Sequence, residues 1–236
     1  MKNKATTDGE DRLLARLVVY ADLTRCFYYP DEGLVALFDS GEMEGHLPAY
    51  DRLGLDLKTH LDEIGQWRQG HKENGAALLD LKKEYTRLFI SGHPKLLAPP
   101  YGSLYLEHGW TICGETTVDA VKLYVEAGLK ISADFKDIPD HFAAEVEFVS
   151  YLIRERLKAT GVSEGEGEGA PDKERASKMS SIEKKLLRNH LLKWAPAFLD
   201  RVMESTGSVF YREIARLSKA SVGCELAFLD TPSTLK

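Results

Sequence analysis

Asp137-Ile138-Pro139-Asp140-His141-Phe142-Ala143-Ala144-Glu145-Val146-Glu147-Phe148-Val149-Ser150-Tyr151-Leu152-Ile153 carries the clearest helix signal in the chain. A proline in the first turn, flanked by Asp137 and Asp140, matches the missing intrahelical donors and positive dipole of a helix N-terminus. Behind it Phe142, Val146, Val149, Leu152 and Ile153 recur at helical spacing and wind an apolar stripe onto one face. The pattern predicts a helix opening at Asp137–Asp140.

The same period extends outward in both directions. Toward the N-terminus, Asp11 to Tyr29 places Leu13, Leu14, Leu17, Val18, Ala21, Thr24, Phe27 and Tyr28 at helical spacing, and Pro30 ends the run. Asp31 caps a short second helix through Leu34, Val35, Leu37 and Phe38, and the stretch from Ser40 to Pro48 breaks the pattern. A weaker helix is expected over Leu53 to Trp67, where Gly54 and Gly65 lower the propensity. A stronger one runs from about Ala76 to Ile90 and is stopped by Gly92 and Pro94. Thr116 or Thr117 is expected to cap the next, with Gly128 as its left-handed C-terminal residue.

Between these helices, His93 to Gly114 is long, aromatic and irregular. Its Ser103-Leu104-Tyr105-Leu106 alternates in the one strand-like manner of the chain, enough at most for a short hairpin. Beyond Ile153, Gly161 to Arg175 is polar and glycine-rich and reads as a flexible loop. Ile182, Leu186, Leu187, Leu191, Leu192 and Trp194 then lead through Pro196 to Phe198, Val202 and Met203, and a final helix carries Phe210, Ile214 and Leu217. With some eight or nine helices and no credible strand set, the expected fold is an all-α bundle. It is read as one domain over 1–236, with 1–10 disordered and 161–176 a flexible Gly/Glu-rich loop.

At 236 residues the chain is long enough to hide roughly 70–75% of its unfolded surface without a metal or disulfide. Its net charge of −6 argues against nucleic acid as the main partner and favours basic ligands. No apolar run approaches a membrane span, so stable membrane insertion is not expected. Acidic residues follow the first lysines where a signal peptide would place its apolar core, so the protein is expected to stay in the cytoplasm. Cys26, Cys113 and Cys224 are widely separated and outside any Cys-x-x-Cys, and are read as core thiols.

Few motifs carry chemistry. Gly165-Glu166-Gly167-Glu168-Gly169-Ala170 spells a dinucleotide loop, but a helix precedes it and its glutamates would repel phosphate, so it reads as linker. No G-x-x-x-x-G-K-[ST], G-x-S-x-G or H-E-x-x-H occurs, which leaves no catalytic residue, cofactor or metal to assign by motif. His141 has Asp137 and Glu145 four residues to either side, a trio that fits a divalent metal only if other helices add ligands. His93, His108 and His190 have no comparable neighbours. The aromatics Tyr85, Phe89, Tyr101, Tyr105 and Trp110 fit either ordinary core or, beside the Pro99-Pro100 turn, a groove for an apolar peptide.

Four blocks together resemble the TorD/DmsD/NarJ family of cytoplasmic chaperones. They are Tyr85-Thr86-Arg87-Leu88-Phe89; Pro99-Pro100-Tyr101-Gly102-Ser103-Leu104-Tyr105; Asp137-Ile138-Pro139-Asp140-His141 with Glu145 and Phe148; and Asn189-His190-Leu191-Leu192-Lys193-Trp194-Ala195-Pro196-Ala197-Phe198. The likeness runs from about Leu13 to Leu217. Asp137 stands where the family more often shows Glu, and Tyr85 and Tyr101 stand where several members carry Trp.

The resemblance implies an all-helical, non-enzymatic chaperone for a molybdopterin-containing oxidoreductase. It would bind the precursor's twin-arginine signal peptide or the apoenzyme until the cofactor is inserted. The implied binding residues are Tyr85, Leu88, Phe89, Pro99, Pro100, Tyr101, Ser103, Tyr105, Asp137, Pro139, Asp140 and His141. Asp140, Asp137 and Glu107 would face the guanidinium groups, and the aromatics the apolar stretch. A monomer is expected, with the Gly161–Arg175 loop able to act as a hinge for a domain-swapped dimer. The alternative is a helical metal-dependent enzyme using His141, Asp137 and Glu145, although the Glu-x-x-His pairs of such bundles are missing.

Overall fold

The computed structural model describes residues 7–72, 76–92, 95–108, 112–130, 138–162 and 171–230. Helix α1 (Asp8–Phe27) starts on a capping box, in which Thr7 and Glu10 exchange side-chain-to-amide hydrogen bonds. Residues 8–10, expected to be disordered, are therefore its first turn. Asp31 caps α2 (Glu32–Asp39) as expected, accepting from the Leu34 amide at 2.9 Å. The Gly- and Glu-rich stretch that follows is not a plain break. It folds into α3 (Glu42–Gly45) and α4 (Leu47–Arg52), with Pro48 in the first turn of α4.

The helix expected from Leu53 begins later. Gly54 takes φ +72°, which ends α4, and Asp56 then caps α5 (Leu57–Lys72) by accepting from the Thr59 amide at 3.0 Å. Helix α6 (Ala77–Tyr85) continues into a wider π-turn, Thr86–Ile90, marked by the Ser91 amide donating to the Thr86 carbonyl five residues back.

Ser103–Leu106 is not strand-like but a short helix, α7. Among the described residues no strand forms, and an isolated bridge joins Tyr101 to His141. Helix α8 (Glu115–Glu126) starts one residue before Thr116, from Gly114, and Gly128 follows it at φ +88° as expected. Helix α9 (Phe142–Thr160) starts after Pro139 and Asp140, because the His141 side chain takes the N-cap position and accepts from the Ala143 amide.

Asp172 caps α10 (Lys173–Leu186), so the end of the segment expected to be loop is helical. A second π-turn, Leu187–Leu191, leads into α11 (Leu192–Ser205), directly before Pro196, which cannot donate to the carbonyl four residues back. Helix α12 (Val209–Asp230) closes the chain. Among the described residues no helix is long and apolar enough to cross a membrane. Of the three cysteines only Cys26 is a core thiol. Cys224 is half-buried, and Cys113 is exposed because it lies in the turn before α8.

Helix α9 lies between α1 and α10, α12 packs on α11 and α5, and one apolar cluster runs through them all. α9 buries most of its circumference, including Glu145, Glu155 and Arg156, so these charges need partners inside the protein. Arg16 of α1 meets this need at the centre. Its Nε and Nη2 donate to the two carboxylate oxygens of Glu225 on α12 at 2.8 and 2.7 Å, and Nη2 lies 2.5 Å from Glu183 on α10. Glu183 also pairs with Arg156. Two arginines and two glutamates thus neutralise one another across four helices.

Burial alone would lower the Arg16 pKa, but Glu183 and Glu225 hold it above its usual value. Burial likewise pushes the Glu183 carboxyl up, and the two guanidiniums override it and hold Glu183 below the ordinary glutamate range. Arg16→Ala leaves two buried carboxylates short of a cation and is expected to cost about 3–5 kcal/mol. The urea midpoint of the purified variant measures it; an unchanged midpoint would show that the network contributes nothing to stability.

Candidate functional site

The Pro99–Tyr105 loop is fastened to the start of α9 by backbone bonds. The Phe142 amide donates to the Pro100 carbonyl at 2.8 Å, and the Gly102 amide to the Asp140 carbonyl at 2.9 Å. Asp140 adds its side chain: Oδ2 accepts from the Ser103 amide at 2.7 Å and from the Thr117 hydroxyl at 3.0 Å. The loop also lies flat against α11. A Cβ on Gly102 would come within 3.0 Å of Trp194 Nε1 and 3.2 Å of His190 Cε1, so a larger residue here would have to push these rings back by a few tenths of an ångström. At the loop's other end the Ala98 amide donates to Leu88 O in the first π-turn.

Behind the loop sits a buried polar cluster. Glu145 is fully buried; its carboxylate meets His190 Nδ1 at 2.5 Å and accepts from Trp194 Nε1 at 3.1 Å. His190 Nε2 faces the Thr116 carbonyl at 2.9 Å, and since a carbonyl only accepts, that nitrogen carries a hydrogen. A second proton lies between Nδ1 and Glu145, and the pair is neutral as a unit. Burial alone would lower the His190 pKa, but the adjacent Glu145 carboxylate holds it above its ordinary value.

In front of the loop the surface opens into a cavity of about 170 Å³ lined by Tyr28, Tyr29, Tyr85, Phe89, Ile90, Pro100, Tyr101 and His141. The Tyr101 ring stands edge-on to His141, and Tyr28 lies parallel to His141 on its other side. Tyr29 and Ile90 form an exposed rim, each more than half exposed. Tyr85 and Phe89 make the floor; both rings are packed in the core cluster, and the Tyr85 hydroxyl donates to the Phe27 carbonyl.

Of the residues singled out from sequence, Tyr85, Phe89, Pro100, Tyr101 and His141 therefore meet in one place. Leu88 and Ser103 are fully buried behind them, and Pro99 is buried too. Tyr105 turns away to stack on Trp194, with the Arg201 guanidinium over its ring, and burial pushes its hydroxyl up to about 12. The Pro139 carbonyl accepts from the Tyr124 hydroxyl. Asp137, Trp110 and His93 lie outside the described residues.

The Asp140 and Glu107 carboxylates are engaged within the protein. Asp140 is fully buried and fastens the loop. Glu107 caps α8 from outside, accepting from the Thr116 amide and hydroxyl. Thr116 is thus a donor to a cap rather than the cap itself. His141 and Glu145 also have separate partners, Ala143 on one side and His190 with Trp194 on the other. Among the described residues no group of three or more His, Cys, Asp or Glu could hold a metal ion.

The sequence reading missed Tyr28, Tyr29, Ile90 and His190. In the sequence Tyr28 reads as part of a helical stripe, and Tyr29 and Ile90 only mark the ends of helical runs. His190 was set aside for lack of nearby carboxylates, although its Asn189–Phe198 block was recognised.

The all-helical scaffold thus presents an aromatic cavity suited to binding, and the buried ionisable groups beside it are paired within the protein. Comparison with known proteins agrees. The family model described as nitrate reductase delta subunit matches residues 51–200. The chaperone protein TorD of Photobacterium profundum is 26% identical over 220 residues, covering 92% of this chain and 89% of that one. The Tat proofreading chaperone DmsD of Salmonella typhi is 26% identical over 156 residues, 66% of this chain and 65% of that one. A crystal structure described as that of a redox enzyme maturation protein from Archaeoglobus fulgidus shares the fold, with a TM-score of 0.51 at 21% identity and coverage of 93% and 95%. The chain belongs to the nitrate reductase delta subunit family, the TorD/NarJ/DmsD family of chaperones.

The raised pKa of His190 sets a pH dependence. Stability from the Glu145 pair is complete below about pH 6.5, the ordinary histidine value, and is lost as pH rises through the higher folded value. Urea unfolding between pH 6 and 9 should show this loss in the wild type and a flatter profile in His190→Gln. Parallel profiles would rule out this role for the pair.

Proposed function

We propose that the chain is a chaperone for the precursor of a molybdopterin-containing oxidoreductase. It binds the precursor's twin-arginine signal peptide or the apoenzyme in the aromatic cavity and releases it once the cofactor is in place. It works by binding rather than catalysis, as a single all-helical domain, a monomer, in the cytoplasm where the precursor is made. The observation that carries this reading is the meeting of three distant sequence blocks, through Tyr85 and Phe89, Pro100 and Tyr101, and His141, around one cavity. Family membership and the names of the relatives support it.

An aromatic cavity with an exposed apolar rim suits the apolar part of a peptide, because burying such surface returns about 25 cal/mol per Å². The site residues divide into two sets in this reading. Tyr101, Tyr85, Phe89, Pro100 and His141 line the cavity, while Asp140, Ser103, Leu88, Pro99, Pro139 and Tyr105 act by holding its wall in place.

Tagged wild-type protein expressed in its native cytoplasm should capture a molybdopterin oxidoreductase subunit. Tyr101→Ala should recover at least about tenfold less, as expected for a central aromatic contact, at an unchanged melting temperature. Asp140→Ala is expected to lower the melting temperature as well, because it frees the loop. Failure of the wild type to capture any such subunit under inducing conditions would overturn the proposal.

A further inference from the structure

The rim of the aromatic cavity carries opposite charges at its two ends. Tyr28 leaves α1 in an extended conformation, so the side chains of Tyr28 and Tyr29 point to opposite sides. Tyr28 reaches α9, where its hydroxyl donates to Glu147 at 2.5 Å. Tyr29 reaches α6, where its ring meets Tyr85 edge-on and the Lys82 ammonium lies 6.0 Å from its centroid. Glu147 is exposed and has no cation within ion-pair distance among the described residues. Lys82 likewise has no carboxylate there.

The cavity between them, about 170 Å³, is well below the ~300–1,000 Å³ of a small-molecule site and fits a side chain. Asp140 is buried and Glu107 caps α8, whereas Glu147, exposed beside Tyr28, offers a carboxylate at the rim for a cationic group.

We propose that this groove binds a peptide with a set charge polarity. One large apolar side chain fills the cavity, a basic residue lies over Glu147 and Tyr28, and an acidic residue lies over Lys82 and Tyr29. The proposal rests on the chaperone reading above and adds the chemistry that the site selects. The apolar side chain is buried and supplies most of the affinity, and the exposed rim charges adjust it by smaller factors. A basic residue is thus read by one carboxylate at the edge of the site and is not the anchor.

The test uses short fluorescein-labelled peptides with blocked ends, in a Ser/Gly host, carrying Arg, then Leu-Phe, then Glu. Anisotropy titrations with the full chain should show loss of more than about thirtyfold when Leu-Phe is replaced by Ser-Ser. Replacing Arg by Gln should cost about two- to fivefold in the wild type and nothing in Glu147→Gln. Lys82→Gln should remove the corresponding effect of the peptide's Glu. Both variants alter exposed or half-buried side chains and should fold normally, as melting curves would verify.

An equal Arg effect in wild type and Glu147→Gln, or tolerance of Ser-Ser, overturns the proposal. If no host peptide binds while the captured oxidoreductase subunit still binds and is lost in Tyr101→Ala, the charge polarity falls and the chaperone reading stands. If the subunit is not captured either, both fall.

Discussion

Helix α9 is buried over most of its circumference, leaving a narrow exposed stripe through Glu147, Arg154 and Lys158, and this constraint organises the protein around it. A helix in that position cannot leave an ionisable side chain unpaired, because a buried charge without a partner costs several kcal/mol. Glu145 is answered by His190 and Trp194, Arg156 by Glu183, and Glu155 by Lys158 and Arg175. Apart from Lys158, which is on α9 itself, each partner comes from a turn or helix that must then stay in register with α9. Glu147, which emerges into solvent, is the acid this arrangement leaves for the rim of the cavity.

The same constraint joins scaffold to site. The first residues of α9 bond to the Pro99–Tyr105 loop, the loop rests on Trp194 and His190, and both of those reach back to Glu145 one turn into α9. The cavity wall is therefore held from two directions. The sequence blocks that resemble the chaperone family are the pieces of this closed circuit, which gives a physical reason for their occurring together.

Much of the fold was readable because helices announce themselves locally. The stripe from Leu13 to Phe27, the Asp31 cap and the left-handed Gly128 each depend on residues within one or two turns of each other. The readings that shifted depend on distant contacts. Asp140 beside Pro139 looks like a solvent-facing helix opener, and only the loop folded over it turns its carboxylate inward. His190 and Glu145 lie 45 positions apart, so nothing near His190 reveals its partner. Ser103–Leu106 alternates like a strand but has no strand to pair with among the described residues, and it closes into one helical turn. The cavity itself was half visible, through the aromatics of the recognised blocks, while Tyr28 and Tyr29 were hidden in the end of an ordinary amphipathic helix.

The two π-turns bear on how the chain can vary. Each holds one residue more than an α-helical turn, and one carries Phe89 and Ile90 while the other carries His190. Deleting a single residue from either would let that turn rewind as α while the helical segments on its two sides keep their orientation. The wider turn is thus what adds a position at the site, where Phe89 reaches the cavity floor and His190 reaches Glu145. In these two turns the number of residues is itself part of the site.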